Sequence, residues 1–215
     1  MMWPTVIVDD FFEDPKKIIK FSKTLNYHRA EDNTWPGERT GPMHQVDHNF
    51  FIFTTKKIMT LLFPMTIHDI KWNASQTFQR TNKKYGDAGW VHHDNDAEIT
   101  AIIYLSHHQN SGTSLYKNPN FMLSPLHTKE KDKFYKNLKD KKRAEQKRKD
   151  ANNQYSKTVE MYSNFNRLVL YDSHHWHQAE SFGNSKEDRL TLITFFRSIT
   201  GKNIKYPIPS MRRII

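Results

Sequence analysis

The first apolar and polar stretches of the chain predict a strand followed by a helix. In VIVDDFFEDPKKIIKFSKTL the apolar run gives way to Asp14, which can cap a helix, and Pro15 suits the first helical position. Ile18, Phe21 and Leu25, with Ile19 beside them, give that helix a partly apolar face for packing on a sheet. From Asn26 to Gln45 the pattern turns polar. With Trp35, Pro36, Gly37, Gly41 and Pro42 it reads as a long ordered loop at the surface, although WPGERTGP can also line a site. FFIFTTKKIMTLLF then supplies a second amphipathic helix. Beyond Ile67 the period shortens, and WNASQTFQRT, GWVHHD, EITAIIYLS, SLYK, RLVLYDS and RLTLITFFRSI are short β-rich runs between turn residues.

Runs of this kind predict a mainly β protein with flanking helices and a double-sheet core, a β barrel or a jelly roll of the double-stranded β-helix, cupin-like form. The two early helices are expected to cover one sheet. A chain of 215 residues suits one domain. Its expected parts are an N-terminal strand and supporting helices over 1–66, the jelly-roll core over 67–200, and an insert over 129–149 that interrupts the strands. No internal repeat is visible.

Composition narrows the chemistry. Apolar residues make up 36% of the chain and aromatics 13%, so the low mean hydropathy comes from charged and amide side chains rather than from a missing core. There is no cysteine, which excludes disulfides, thiolate metal sites and a cysteine nucleophile, and leaves nitrogen and oxygen as metal ligands. The opening MMWPTVIVDDFF lacks the basic flank and long apolar run of a signal peptide, and no stretch approaches a membrane span. The protein is therefore expected to be soluble and cytoplasmic. Its formal charge of +10 is concentrated. Lys129 to Lys149 holds eleven Lys or Arg against four Asp or Glu, in Gly-free and Pro-free sequence that predicts an exposed helical insert. This insert is the candidate contact for nucleic acid.

The candidate metal ligands lie in Trp90-Val91-His92-His93-Asp94. In extended structure residues two apart share a face, so His92 and Asp94 point together and His93 points away. An imidazole and a carboxylate need one further ligand to complete the facial triad of non-haem iron(II). His174-His175-Trp176-His177 follows the strand RLVLYDS and can supply it. His177 lies nearest the turn GNSKED and is the candidate, which leaves His174 and His175 at the surface or in supporting positions. Arg189 and Thr191 begin the next strand on a shared face. A cationic fork there can bind a dicarboxylate bidentately while the dicarboxylate's other end chelates the metal.

In this ordered set the chain resembles the Fe(II)/2-oxoglutarate-dependent dioxygenases, and among them the prolyl-hydroxylase-like branch. The features that carry the resemblance are His92 and Asp94, AIIYLS with Tyr104, the Gly-Thr turn, NRLVLYDS leading to His177, and Arg189 opening the last strand, over roughly Ala74 to Ser198. The N-terminal strand-helix with PGERTGP is also similar to a small subgroup of these enzymes. The resemblance implies that His92, Asp94 and His177 hold Fe(II) as the catalytic centre. It implies that Tyr104 and Arg189 bind the distal carboxylate of the cosubstrate 2-oxoglutarate, that residues around Thr191 shape its pocket, and that O2 is the oxidant. The presence of Asp94 implies a hydroxylase, since in related halogenases a small residue vacates this position for halide. Two other functions stay open: a cupin-like metal enzyme that does not use 2-oxoglutarate, and a nucleic-acid-binding protein acting through 129–149. The primary substrate is left open among a protein side chain, an amino acid, a nucleobase and a small metabolite.

Overall fold

Strand alternation sets the architecture. In the computed structural model, which describes residues 3–29, 35–108, 110–117, 133, 141–183, 187–202 and 204, the β-rich runs assemble into two antiparallel sheets. The larger contains β1 (Val6–Val8), β2 (Tyr27–His28), β3 (Glu38–Thr40), β4 (Ile70–Thr81), β5 (Ile99–Tyr104), β8 (Leu168–Asp172) and β10 (Arg189–Gly201), in the order β1-β8-β5-β10-β4-β3-β2. The smaller contains β6 (Thr113–Lys117), β7 (Ser156–Met161) and β9 (Trp176–Ala179), in the order β7-β6-β9.

The period of two along the central strands separates two apolar layers. On one side Ile99, Ala101, Ile103, Leu168, Leu170, Leu192 and Phe196 form a core with the helices. On the other, Ile102, Tyr104, Val169, Tyr171 and Ile193 meet Leu115 and Met161 of the smaller sheet. A one-residue slip of any of these strands would exchange its two faces, so the register is strongly specified.

The helical layer follows the pattern of its sequence. Helix α1 (Pro15–Lys23) is capped by Asp14, whose carboxylate accepts from the Lys17 N–H at 3.0 Å. Helix α2 (Met43–Val46) leads into α3 (His48–Leu62), where Asp47 caps Phe50 in the same way at 2.9 Å. Ile18, Phe21 and Leu25 pack against the core to which α3 contributes Phe51, Ile58, Met59 and Leu62. Among the described residues no helix is long and apolar enough to cross a membrane.

The polar stretch 26–45 is not one long surface loop. Strands β2 and β3 pair with each other, and β3 adds to the edge of β4; residues 30–34 lie outside the described residues. Polar side chains make this edge: Thr40 Oγ1 accepts from the Phe78 N–H at 3.1 Å, and the Gln79 amide donates to the Pro36 carbonyl at 2.7 Å. Gly37 is required, because its φ of +84° is left-handed and an added Cβ would stand 2.0 Å from the Arg80 carbonyl oxygen. Strand β7 carries no alternation, with five of its six residues exposed, and is held by backbone pairing to β6.

Of the lysine-rich segment, 129–132 and 134–140 lie outside the described residues. From Lys141 the segment forms α4 (Lys141–Asn152), which is not exposed all round. Arg148 is 5% exposed, and Ala144 and Ala151 pack on Trp90.

Candidate metal centre and cavity

His92 and His177 meet through their backbones before their side chains do. Each N–H donates to the other's carbonyl, at 2.9 and 2.7 Å, so the extended segment before β5 runs beside β9 as an isolated bridge. The Asp94 N–H donates to the Ser173 carbonyl at 2.9 Å and fixes the third residue. One ligand atom from each of His92, Asp94 and His177 then lies within 4.8 Å of the others. His92 Nε2 is 3.8 Å from Asp94 Oδ1, and His177 Nε2 is 3.3 Å from Asp94 Oδ2.

The hydrogen bonds on the far side of each ring define its tautomer. His92 Nδ1 lies 2.8 Å from the Trp90 carbonyl, and His177 Nδ1 lies 2.8 Å from the His175 carbonyl. A carbonyl only accepts, so in the neutral rings both Nδ1 atoms carry the proton and both Nε2 lone pairs face Asp94. Two imidazole nitrogens and a carboxylate form the donor set of non-haem iron. Neighbouring donors around such an ion, with bonds of roughly 2.1 Å, stand about 3 Å apart, a spacing that the His177–Asp94 pair, at 3.3 Å, nearly has. Thr100 Oγ1 reaches Asp94 Oδ2 at 3.4 Å and Ser173 Oγ at 2.7 Å, which ties the carboxylate to β5. His93 turns away, its ring edge-on to Trp176 at 4.5 Å, and burial lowers its pKa. His174 is largely exposed beside Asp172.

These three residues form part of the wall of a cavity of about 640 Å³ between the sheets. Ser75, Thr77, Gln79 and Thr81 line it from alternate positions of β4, and Arg189, Ile193, Phe195 and Arg197 from alternate positions of β10. Arg189 is 4% exposed, donates from Nε to the Ser111 carbonyl at 2.9 Å, and lies over the Tyr104 ring at 5.3 Å. Burial lowers the pKa of this guanidinium and the Tyr104 hydroxyl counters the shift. Tyr104 itself does not line the cavity. It supports Arg189 from behind, and its hydroxyl pairs with Thr113 Oγ1 at 2.8 Å. Thr191 is fully buried and likewise absent from the cavity wall, although alternation places it on the same side as Arg189.

Two features of the site had no clear signal in the sequence. Arg39, from WPGERTGP, lines the cavity as a further cation, and burial pulls it down to about 10 while Asp94 counters the shift. Helix α4 holds the strand that carries His92: Asn152 Oδ1 accepts from the Val91 N–H at 2.9 Å, and its amide donates to the Gly89 carbonyl at 3.1 Å and to Gln178 Oε1 at 3.2 Å.

The two sheets with a His-Asp-His set between them define a double-stranded β-helix of the kind found in 2-oxoglutarate oxygenases, and solved structures share it. HygX from Streptomyces hygroscopicus, with nickel and 2-oxoglutarate bound, superposes with a TM-score of 0.59 over 95% of this chain and 85% of that one, at 12% identity. The non-haem α-ketoglutarate-dependent epimerase SnoN of nogalamycin biosynthesis gives 0.56 over 96% and 85%, at 11% identity. A prolyl hydroxylase from Trichoplax adhaerens, in complex with a hypoxia-inducible-factor peptide fragment, gives 0.53 over 90% and 83%, at 11% identity. At these identities the likeness is one of fold. By sequence the chain belongs to the family of unknown function DUF6445, whose model matches residues 2–196. No curated protein matches it.

Proposed function

We propose that the protein is an Fe(II)- and 2-oxoglutarate-dependent dioxygenase of the prolyl-hydroxylase-like branch that hydroxylates its substrate. The observation that carries this reading is one cavity with two imidazoles and a carboxylate converging on its wall and a buried arginine in the same wall. His92, Asp94 and His177 would hold the iron on one face, and Arg189 would take the distal carboxylate of 2-oxoglutarate as a bidentate fork. When bound, iron and cosubstrate supply with O2 the oxidising power for C–H hydroxylation, yielding succinate and CO2.

The chain's own residues bind, orient and exclude water. The carbonyls of Trp90 and His175 keep both imidazoles in the ligating tautomer. Tyr104 and Ser111 fix the plane of the Arg189 guanidinium. Ile102, Tyr171, Ile193 and Phe195 give the cavity apolar walls, and a poorly hydrated site strengthens each charged contact inside it.

The test is Asp94→Ala. The purified chain should bind iron and 2-oxoglutarate together, with the visible charge-transfer band of such complexes, and form succinate; the variant should fold normally but lose the band and at least a hundredfold of the turnover. Retained turnover in the variant would refute the ligand assignment. Iron binding without the band in the unaltered chain would favour a cupin-like enzyme that does not use 2-oxoglutarate.

A further inference from the structure

Among the described residues, the charges around the cavity pair off with one exception. Asp94 faces the metal position, Arg197 is bonded to Asp96, and in the reading above Arg189 takes a carboxylate of the cosubstrate. Arg39 is left over. Its guanidinium lies over the Trp35 ring at 4.5 Å from the centroid and near the Phe195 ring at 5.8 Å. Ring faces attract a cation but accept no ordinary hydrogen bond. Among the described residues no side chain or carbonyl accepts from Arg39, and its Nε is buried without a partner. The indole Nε1 of Trp35 is buried without an acceptor as well. Two neighbouring residues of the cavity wall thus carry donors with no acceptor among the described residues.

Buried donors are normally satisfied. Gly37 lets β3 approach β4 closely enough to register Arg39 opposite Gln79, and the Gln79 amide is committed to the Pro36 carbonyl. A planar guanidinium with no acceptor among the described residues, stacked on the Trp35 ring, matches the oxygens of a carboxylate or a phosphate.

We infer that Arg39 and Trp35 form the recognition point for an oxyanion, carboxylate or phosphate, carried by the primary substrate. The inference rests on the oxygenase reading for the word substrate, but the oxyanion site stands on Arg39 and Trp35 alone. It narrows the substrate to an anionic compound or side chain, with the aromatic faces of Trp35 and Phe195 receiving the part next to the charge. Arg39 and the metal-binding residues border one cavity, so a molecule anchored by its anionic group can present a carbon to the reacting centre.

The test uses the full chain, first metal-free and then loaded with manganese(II) and 2-oxoglutarate without oxygen. Benzoate and phenyl phosphate are titrated by NMR, with benzyl alcohol as the uncharged control. At least one anionic probe should bind in both states and more tightly than the control, and Arg39→Gln should weaken it at least tenfold. Arg39→Lys should fall between them, and Trp35→Phe should cost about threefold. The affinity for 2-oxoglutarate should stay within twofold in each variant. Preference for benzoate or for phenyl phosphate identifies the oxyanion, and either supports the site. Equal binding by the unaltered chain and by folded Arg39→Gln and Arg39→Lys would overturn it. So would competition between probe and 2-oxoglutarate, since Arg39 would then belong to the cosubstrate. If the unaltered chain binds no metal with 2-oxoglutarate, the oxygenase reading fails, while the metal-free titration still decides the oxyanion site.

Discussion

Arg189 and Arg39 are cations in the same cavity, and the fold holds them by different means. Arg189 sits on β10, which pairs on both sides along β4 and β5, and its Nε is used by the Ser111 carbonyl. Its remaining nitrogens are thereby aimed in one direction. Arg39 sits on the three-residue strand β3 near the sheet edge, held among the described residues by ring faces and the field of Asp94 rather than by hydrogen bonds. Among the described residues none of its donors is taken by an acceptor. A frame of hydrogen bonds suits a ligand that is the same in every turnover, such as a cosubstrate. Aromatic faces suit a group that changes between the free and the occupied site.

The Arg39 end of the cavity is built at Gly37. In Gly37→Ala the left-handed backbone and the collision with the Arg80 carbonyl should together destabilise the protein by about 3 kcal/mol, read by urea unfolding. The loss should fall on one end of the cavity. Under conditions where the variant is folded, benzoate or phenyl phosphate binding should weaken, while 2-oxoglutarate affinity stays within twofold. Equal loss of both ligands would mean that the two ends are not separate.

Next in size is the complementary change at the other end. Arg189→Gln removes a charged hydrogen bond from a buried position, which contributes roughly 1.5 to 3 kcal/mol. The dissociation constant of 2-oxoglutarate, measured anaerobically with manganese(II), should rise by roughly 10- to 150-fold. Oxyanion binding at Arg39 should not follow it. An unchanged 2-oxoglutarate affinity would remove Arg189 from the cosubstrate site.

The two ends also differ in how far the sequence revealed them. The double-sheet core was legible because β5, β8 and β10 are dense in β-branched and aromatic residues with a clear boundary at each end. His92, Asp94 and Arg189 were legible as candidates because their signals are local: a spacing of two in an extended segment, and an arginine opening a strand. Arg39 gave no periodic signal. Its place depends on a non-local event, the approach of Gly37 to β4, and the density of Trp, Pro and Gly in WPGERTGP was the only trace of it. Alternation placed Thr191 on the same side as Arg189 but does not encode depth, and the threonine lies fully buried outside the cavity wall. In α4 the run of lysines concealed an inward stripe of Ala144, Arg148 and Ala151 at helical spacing.

That stripe gives the smallest contrast. Asn152 at the end of α4 bonds Val91, Gly89 and Gln178, and so positions the strand segment on which His92 stands, whereas Lys149 in the same turn is exposed. Asn152→Ala removes the acceptor of the buried Val91 N–H and should cost about 1 to 2 kcal/mol in unfolding. It should also loosen His92, so iron should leave the variant faster under a chelator, with the charge-transfer band decaying severalfold sooner. Lys149→Ala should change stability by less than about 0.5 kcal/mol and leave the band unaltered. If the lysine face serves nucleic acid instead, Lys149→Ala should weaken salt-dependent RNA or DNA binding without touching iron retention, and the two faces of one helix would then have separate tasks. Equal effects of the two substitutions on iron retention would show that α4 acts on the metal centre through its overall charge rather than through Asn152.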